Sequence, residues 1–135
     1  MNNKFNIQVF LNEQCKDALN LDEFINKIEI SIEQLDYTKN KGLAEGVSNI
    51  LIENIKKLSL NKRPIHCTDA KREILYIKNK DNWSKDENKT TINEAIEKTS
   101  NKHYNSLQQW KNENPDFQTK DEKQEYFAKT LVAIG

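Results

Sequence analysis

Over most of the chain the apolar positions recur at helical spacing. Leu43, Val47, Ile50, Leu51, Ile55 and Leu58 lie three and four apart with polar residues between them, which predicts a central amphipathic helix over 43–58. Gly46 falls inside it, where a glycine costs roughly 1 kcal/mol against alanine. Close backbone packing against a neighbouring helix would explain that glycine; a ligand-facing backbone is the alternative. A longer stripe of Ile92, Ile96, Thr99, His103, Leu107 and Trp110, with Tyr104 beside it, predicts a helix that Asn114-Pro115 stops. The stripe is narrow and polar at its middle, the form of a helix that pairs with another, so these six residues are the candidate self-association seam. Tyr126, Phe127, Thr130, Leu131 and Ile134 predict a C-terminal helix with Gly135 as its cap.

Four strings have the form of a capping box, a short polar N-cap with an acid or amide three residues on: Asn20 with Glu23, Ser31 with Gln34, Thr91 with Glu94, and Thr119 with Glu122. The second should open a short helix that fails near Asn40-Lys41-Gly42. At the start of the chain Phe5, Ile7 and Val9 alternate as in a strand, whereas Val9, Phe10, Cys15 and Leu19 would suit a helix. An extended start leading into helix is the expectation adopted.

The helical rhythm breaks between residues 61 and 89. Pro64 pushes Arg63 toward an extended backbone, so the preceding helix should be over by about residues 59–61. Ile65-His66-Cys67 reads as extended and Thr68-Asp69-Ala70-Lys71 as a turn. Ile74-Leu75-Tyr76-Ile77 reads as a buried strand, Asn79-Lys80-Asp81-Asn82 as a second turn, and Trp83-Ser84-Lys85 as the partner strand. The fold class is therefore α+β and mostly helical, with five or six helices and a small antiparallel hairpin or three-stranded meander at about residues 64–85. A single domain over 1–135 is expected: a helical part to 60, the β element at 61–89, and C-terminal helices from 90.

Charge changes this picture little. Lys and Arg number 21, as do Asp and Glu, so no net charge draws the chain onto nucleic acid at long range. The stretch 61–89 holds 8 basic and 5 acidic residues, a local excess of about +3. Both arginines lie there, and Arg63, Lys71, Arg72, Lys78, Lys80 and Lys85 around a hairpin are the candidate nucleic-acid contacts, as in the wing of a winged-helix reader. A second basic helix to enter the major groove is missing. Cys15 and Cys67 stand 52 positions apart in no metal-ligand spacing, and no apolar run is long enough to span a bilayer. A reducing, intracellular setting is the simplest reading.

His66, Cys67 and Asp69 suggest a nucleophile with its base, or a metal site. On a strand, however, His66 and Cys67 point to opposite faces, so a Cys67 enzyme would more naturally use His103. Zinc would need Cys15, His66, Cys67 and His103 together, four ligands assembled only by coincidence of the fold. The expectation is no catalytic residue, no metal, no cofactor and no small-molecule ligand. Arg63, His66, Asp69, Arg72 and Trp83 are read instead as a structural clamp, with Asp69 and Arg72 holding the turn.

The succession Phe5-Asn6-Ile7, Phe10 through Ala18, Gly42 to Gly46, Arg63-Pro64-Ile65-His66-Cys67-Thr68-Asp69, Lys71-Arg72, Leu75-Tyr76-Ile77-Lys78, Trp83, Trp110 and Asn114-Pro115 resembles an uncharacterised region of giant DNA virus proteins. In those proteins a similar region often follows a zinc-finger-like segment, and this chain has none before Phe5. It would be the C-terminal piece of a longer protein or a member without the finger. The resemblance implies a viral origin, a host-cytoplasm or viral-factory setting, and a role beside a nucleic-acid-binding module; it carries no catalytic residues. The expected function is a non-enzymatic protein-interaction or self-association domain, a homodimer, touching DNA directly or through such a module. Direct nucleic-acid binding and an enzyme using Cys67 with a histidine are the alternatives.

Overall fold

The computed structural model describes residues 6–69, 72 and 74–135, and among these the chain is mostly helical with one three-stranded antiparallel meander. It divides into two compact units, one of Met1–Lys27 with Ile55–Ala95 and one of Ile28–Asn54 with Ile96–Gly135.

The first unit opens with a helical turn, α1 (Ile7–Val9), running into a π-helical turn, Phe10–Gln14. The expected extended start is corrected here, and its Phe5 lies outside the described residues. Asn6 explains the helix: its Oδ1 accepts from the Gln8 and Val9 N–H groups at 3.0 and 3.2 Å. Leu11, Cys15 and Ala18 are then buried at helical spacing, which prevails over the short alternation before them. In α2 (Leu21–Asn26), Leu21, Phe24 and Ile25 are buried.

The sheet has the order β1 (Ile65–Asp69), β2 (Ile74–Asn79), β3 (Asn82–Lys85), with α2 against β2. Thr68 and Asp69 belong to β1 and not to the expected turn, and a bulge falls between Cys67 and Asp69. Asn79 pairs with Asn82, so the second turn shrinks to Lys80-Asp81. Both have positive φ, 50° and 64°, the backbone that a two-residue hairpin with right-handed strand twist requires. Asn20 explains the tolerance for that backbone without a glycine. It does not cap α2; its Oδ1 accepts from the Asp81 N–H at 2.8 Å and its Nδ2 donates to the Asp81 and Glu23 carboxylates.

A 3₁₀ turn, Glu87–Lys89, leads into α5 (Thr90–Glu113). The third capping box is corrected as well: the Asp86 carboxylate takes the Thr91 and Ile92 N–H groups at 3.0 and 2.9 Å. A charged acceptor at the positive end of a helix displaces the Thr91 hydroxyl from that task.

In the second unit α3 (Ile32–Lys41) carries both bonds of the predicted box. Ser31 Oγ accepts from the Gln34 N–H, and Gln34 Oε1 accepts from the Ser31 N–H. The helix ends, as expected, at Gly42, whose φ of 96° suits glycine. In α4 (Leu43–Lys56) Val47 and Ile50 face the core. Beyond α5 the chain turns and enters α6 (Asp121–Ile134), which lies beside α3. Thr119 is not its cap; its hydroxyl donates to the Asp116 carbonyl at 3.0 Å and Lys120 holds the N-cap position. Gly135 caps the other end, donating to the Leu131 carbonyl at 3.1 Å. Trp110, Phe117, Tyr126 and Phe127 form one aromatic group about the α5–α6 connection.

Candidate functional site

Five midsection side chains, His66 among them, gather on one face of the sheet. The register pairs His66 with Tyr76, Tyr76 with Lys85, and Lys78 with Trp83, so alternation places all five on the same side. Cys67 pairs with Leu75 and is exposed on the other face. His66 and Cys67 thus diverge, as a strand dictates.

The thiol near His66 is Cys15, with Sγ 3.7 Å from Nε2. The imidazole is held between Phe10, edge-on at 5.1 Å between ring centroids, and Trp83, tilted at 5.6 Å. Trp83 Nε1 donates to the Cys15 carbonyl at 3.1 Å. Burial pushes the Cys15 thiol up from its ordinary range. It also pushes the His66 imidazole down, helped by the nearby Arg63 charge and opposed by a backbone hydrogen bond at Leu60. Both displacements run against a thiolate–imidazolium pair, the form in which a cysteine attacks. Cys15 is 0% exposed, so no substrate carbonyl reaches it in this arrangement.

Lys78 has the least expected position. Although charged, it is 5% exposed, and its Nζ donates to the carbonyls of Lys16 and Ala18 at 2.7 and 2.8 Å. An ammonium facing two main-chain carbonyls inside the fold is not available to a phosphate, which removes Lys78 from the surface set proposed for nucleic acid. Arg63 is half-buried and its Nε donates to the Leu58 carbonyl at 3.1 Å. Arg72, Lys80 and Lys85 are exposed, Lys85 with Glu87 at 3.9 Å, and Arg72 has partners of its own. Lys71 and the Asp69 side chain lie outside the described residues, and with them the Asp69–Arg72 clamp. Among the described clamp residues, Arg63, His66 and Trp83 each hold an internal contact.

The stripe on α5 is divided. Thr99, His103 and Leu107 are buried inside the chain, while Ile92 and Trp110 are half-exposed and Ile96 is 39% exposed. In the second unit His103 Nε2 meets Thr38 Oγ1 at 2.9 Å, and its Nδ1 lies 3.2 and 3.1 Å from the Thr99 and Ser100 carbonyls. Nδ1–H therefore donates to the carbonyls and the Thr38 hydroxyl donates to Nε2. The polar middle of the stripe is satisfied by α3, so a seam with a second copy would have to unpack these three positions. Gly46 on α4 is the close approach that its place in a helix called for: an added Cβ would overlap Thr38 Oγ1 and stand 2.7 Å from Thr38 Cβ.

Burial pushes both imidazoles below their ordinary value of 6.5. The unfolded chain then takes up protons before the folded one as pH falls. Stability from the neutral rings is complete above about pH 6.5 and is lost as pH drops through the folded values. Urea midpoints should accordingly fall between about pH 7.5 and about pH 5.5, above the range where carboxylates titrate. A His66→Gln, His103→Gln double variant should show a flatter profile. A wild-type midpoint unchanged across that interval would contradict this.

Cys15 and Cys67 are both free. Among the described residues no group of three or more His, Cys, Asp or Glu side chains could hold a metal ion, and no helix is long and apolar enough to cross a membrane. Cys15 as the partner of His66, and Thr38 as that of His103, were invisible to spacing, since 51 and 65 positions separate them. The inward turn of Lys78 had a signal in strand parity, which puts it with Trp83 and His66. Comparison of the chain with protein-family models, with curated proteins and with solved structures returns no match.

Proposed function

We propose that this chain is a non-enzymatic interaction domain that associates with a second copy of itself and, as its likeness to regions of giant-virus proteins implies, works beside a nucleic-acid-binding module in a reducing compartment. The observation that supports this reading is that two midsection groups able to do chemistry, the His66 imidazole and the Lys78 ammonium, are engaged inside the fold, while the exposed Cys67 thiol stands on the opposite face of the sheet from His66. His66 faces Cys15, Phe10 and Trp83, and the Lys78 ammonium holds two carbonyls. Large apolar side chains stand exposed on the surface, and on the second unit these include Tyr104, Leu131 and Val132, 43, 42 and 83% exposed.

Light scattering at high protein concentration tests this, with an expected mass of twice the 15.8 kDa chain. Val132→Glu should shift that mass toward the monomer without loss of helical signal. A wild-type monomer at about 0.5 mM, weaker than most specific homodimers, would remove self-association. Direct nucleic-acid binding is the second reading, favoured by Lys80 and Lys85 standing exposed on the β2–β3 hairpin. It predicts retention on duplex DNA at about 50 mM salt that is lost by about 200 mM, so scattering with and without DNA separates the two.

A further inference from the structure

In the second unit a groove of about 530 Å³ opens between the connection 28–31 and one stripe of α5. One wall is main chain ahead of α3. It is tied down where Ser106 Oγ donates to the Ile30 carbonyl at 3.1 Å and where the Ser31 N–H goes to Gln34. The other wall is a run of amides and a carboxylate at i, i+4 and i+8: Asn105, Gln109 and Glu113. Gln109 Nε2 donates to Glu113 at 3.2 Å, which leaves the Gln109 carbonyl oxygen as an acceptor. Glu29 stands on the opposite wall, exposed, and half-exposed Trp110 completes the lining.

Each feature favours one kind of occupant. Side-chain amides present a donor and an acceptor together, the complement of a peptide group. The stripe from Asn105 to Glu113 runs about 12 Å along α5, the length of roughly four residues of an extended segment. Carboxylates on both walls, Glu29 and Glu113, favour a cation. Lys102, the one lysine among the described lining residues, already has a partner of its own. Trp110 offers a broad apolar surface to an aliphatic stem. We propose that this groove binds an extended, lysine- or arginine-bearing segment of a partner protein; the proposal rests on reading the chain as an interaction domain.

The probe is an end-capped octapeptide of alternating lysine and valine, titrated into the full chain and followed by amide NMR. Shifts should concentrate in 28–32 and 102–113, and a Glu29→Lys, Glu113→Lys variant should bind at least about tenfold more weakly, as expected when attraction becomes repulsion. The same peptide with glutamate for lysine should not bind. Shifts centred elsewhere, or equal binding by the variant, would overturn the proposal. So would groove shifts that follow protein concentration with no peptide present, since the occupant would then be a second copy. Self-association by light scattering is read separately: a dimer whose groove ignores the peptide leaves the interaction reading standing and this site refuted.

Discussion

Gly46→Ala should destabilise the second unit by about 1–3 kcal/mol, even though alanine is favoured over glycine in a helix by about 1 kcal/mol. The new methyl has nowhere to go. Thr38 is 0% exposed, and its Oγ1, Cβ and Cγ2 all lie against the position the methyl would take. The threonine is also fixed in place, because its hydroxyl donates to His103 Nε2. To admit the methyl, either α3 and α4 separate or Thr38 changes rotamer and leaves a buried imidazole nitrogen without its donor, at a cost of about 1–3 kcal/mol. Urea unfolding followed by circular dichroism measures the loss, with Ser48→Ala, an exposed position of the same helix, as the control. The double variant Gly46→Ala, Thr38→Ala should recover part of the loss by making room, though not the part due to His103. A Gly46→Ala midpoint above wild type would mean that α3 does not approach α4 this closely.

Local signals in the sequence were legible where no distant group competed. The Ser31–Gln34 box formed as written, and the spacing from Leu43 to Leu58 folded as a helix that ends at Lys56, two residues short of Leu58. Thr91 and Thr119 had the same form as Ser31 and did not cap. Asp86 reaches the first N–H groups of α5 from five residues back, and the Thr119 hydroxyl satisfies the Asp116 carbonyl. Those outcomes depend on the path of the chain before each helix, which a four-residue pattern does not contain. The hairpin followed from β-propensity and turn chemistry, yet its non-glycine turn depends on Asn20, some sixty positions away. The polar middle of the α5 stripe reads as a seam with another helix, and within the chain Thr38 of α3 meets His103 there. Whether the partner was Thr38 or another copy of the chain could not be read from periodicity, since both demand the same pattern.

Removing the Lys78 ammonium should be the larger perturbation of the first unit. Its Nζ and two carbonyl partners connect the sheet to the segment that follows the π-helical turn. Hydrogen bonds to a charged group contribute about 1.5–3 kcal/mol each, and the desolvation cost of burying the ammonium offsets part of the two bonds, so Lys78→Met should lower stability by about 2–4 kcal/mol. Methionine keeps most of the aliphatic stem, so its loss reports on the ammonium. Lys78→Ala removes the stem as well and should cost about 1–2 kcal/mol more. Trp83 gives a local readout, because its indole is bonded to the Cys15 carbonyl in the same segment. The near-ultraviolet signal of Lys78→Met should weaken before helical signal is lost. The same variant discriminates between functional readings: a lysine facing carbonyls inside the fold contributes no phosphate contact, so DNA retention by folded Lys78→Met should match wild type, whereas a Lys80→Gln, Lys85→Gln variant should lose any retention there is. If Lys78→Met is as stable as wild type and binds DNA less well, the ammonium lies at the surface and the buried arrangement is refuted. If only Lys78→Ala is destabilised, the stem matters and the carbonyl bonds do not.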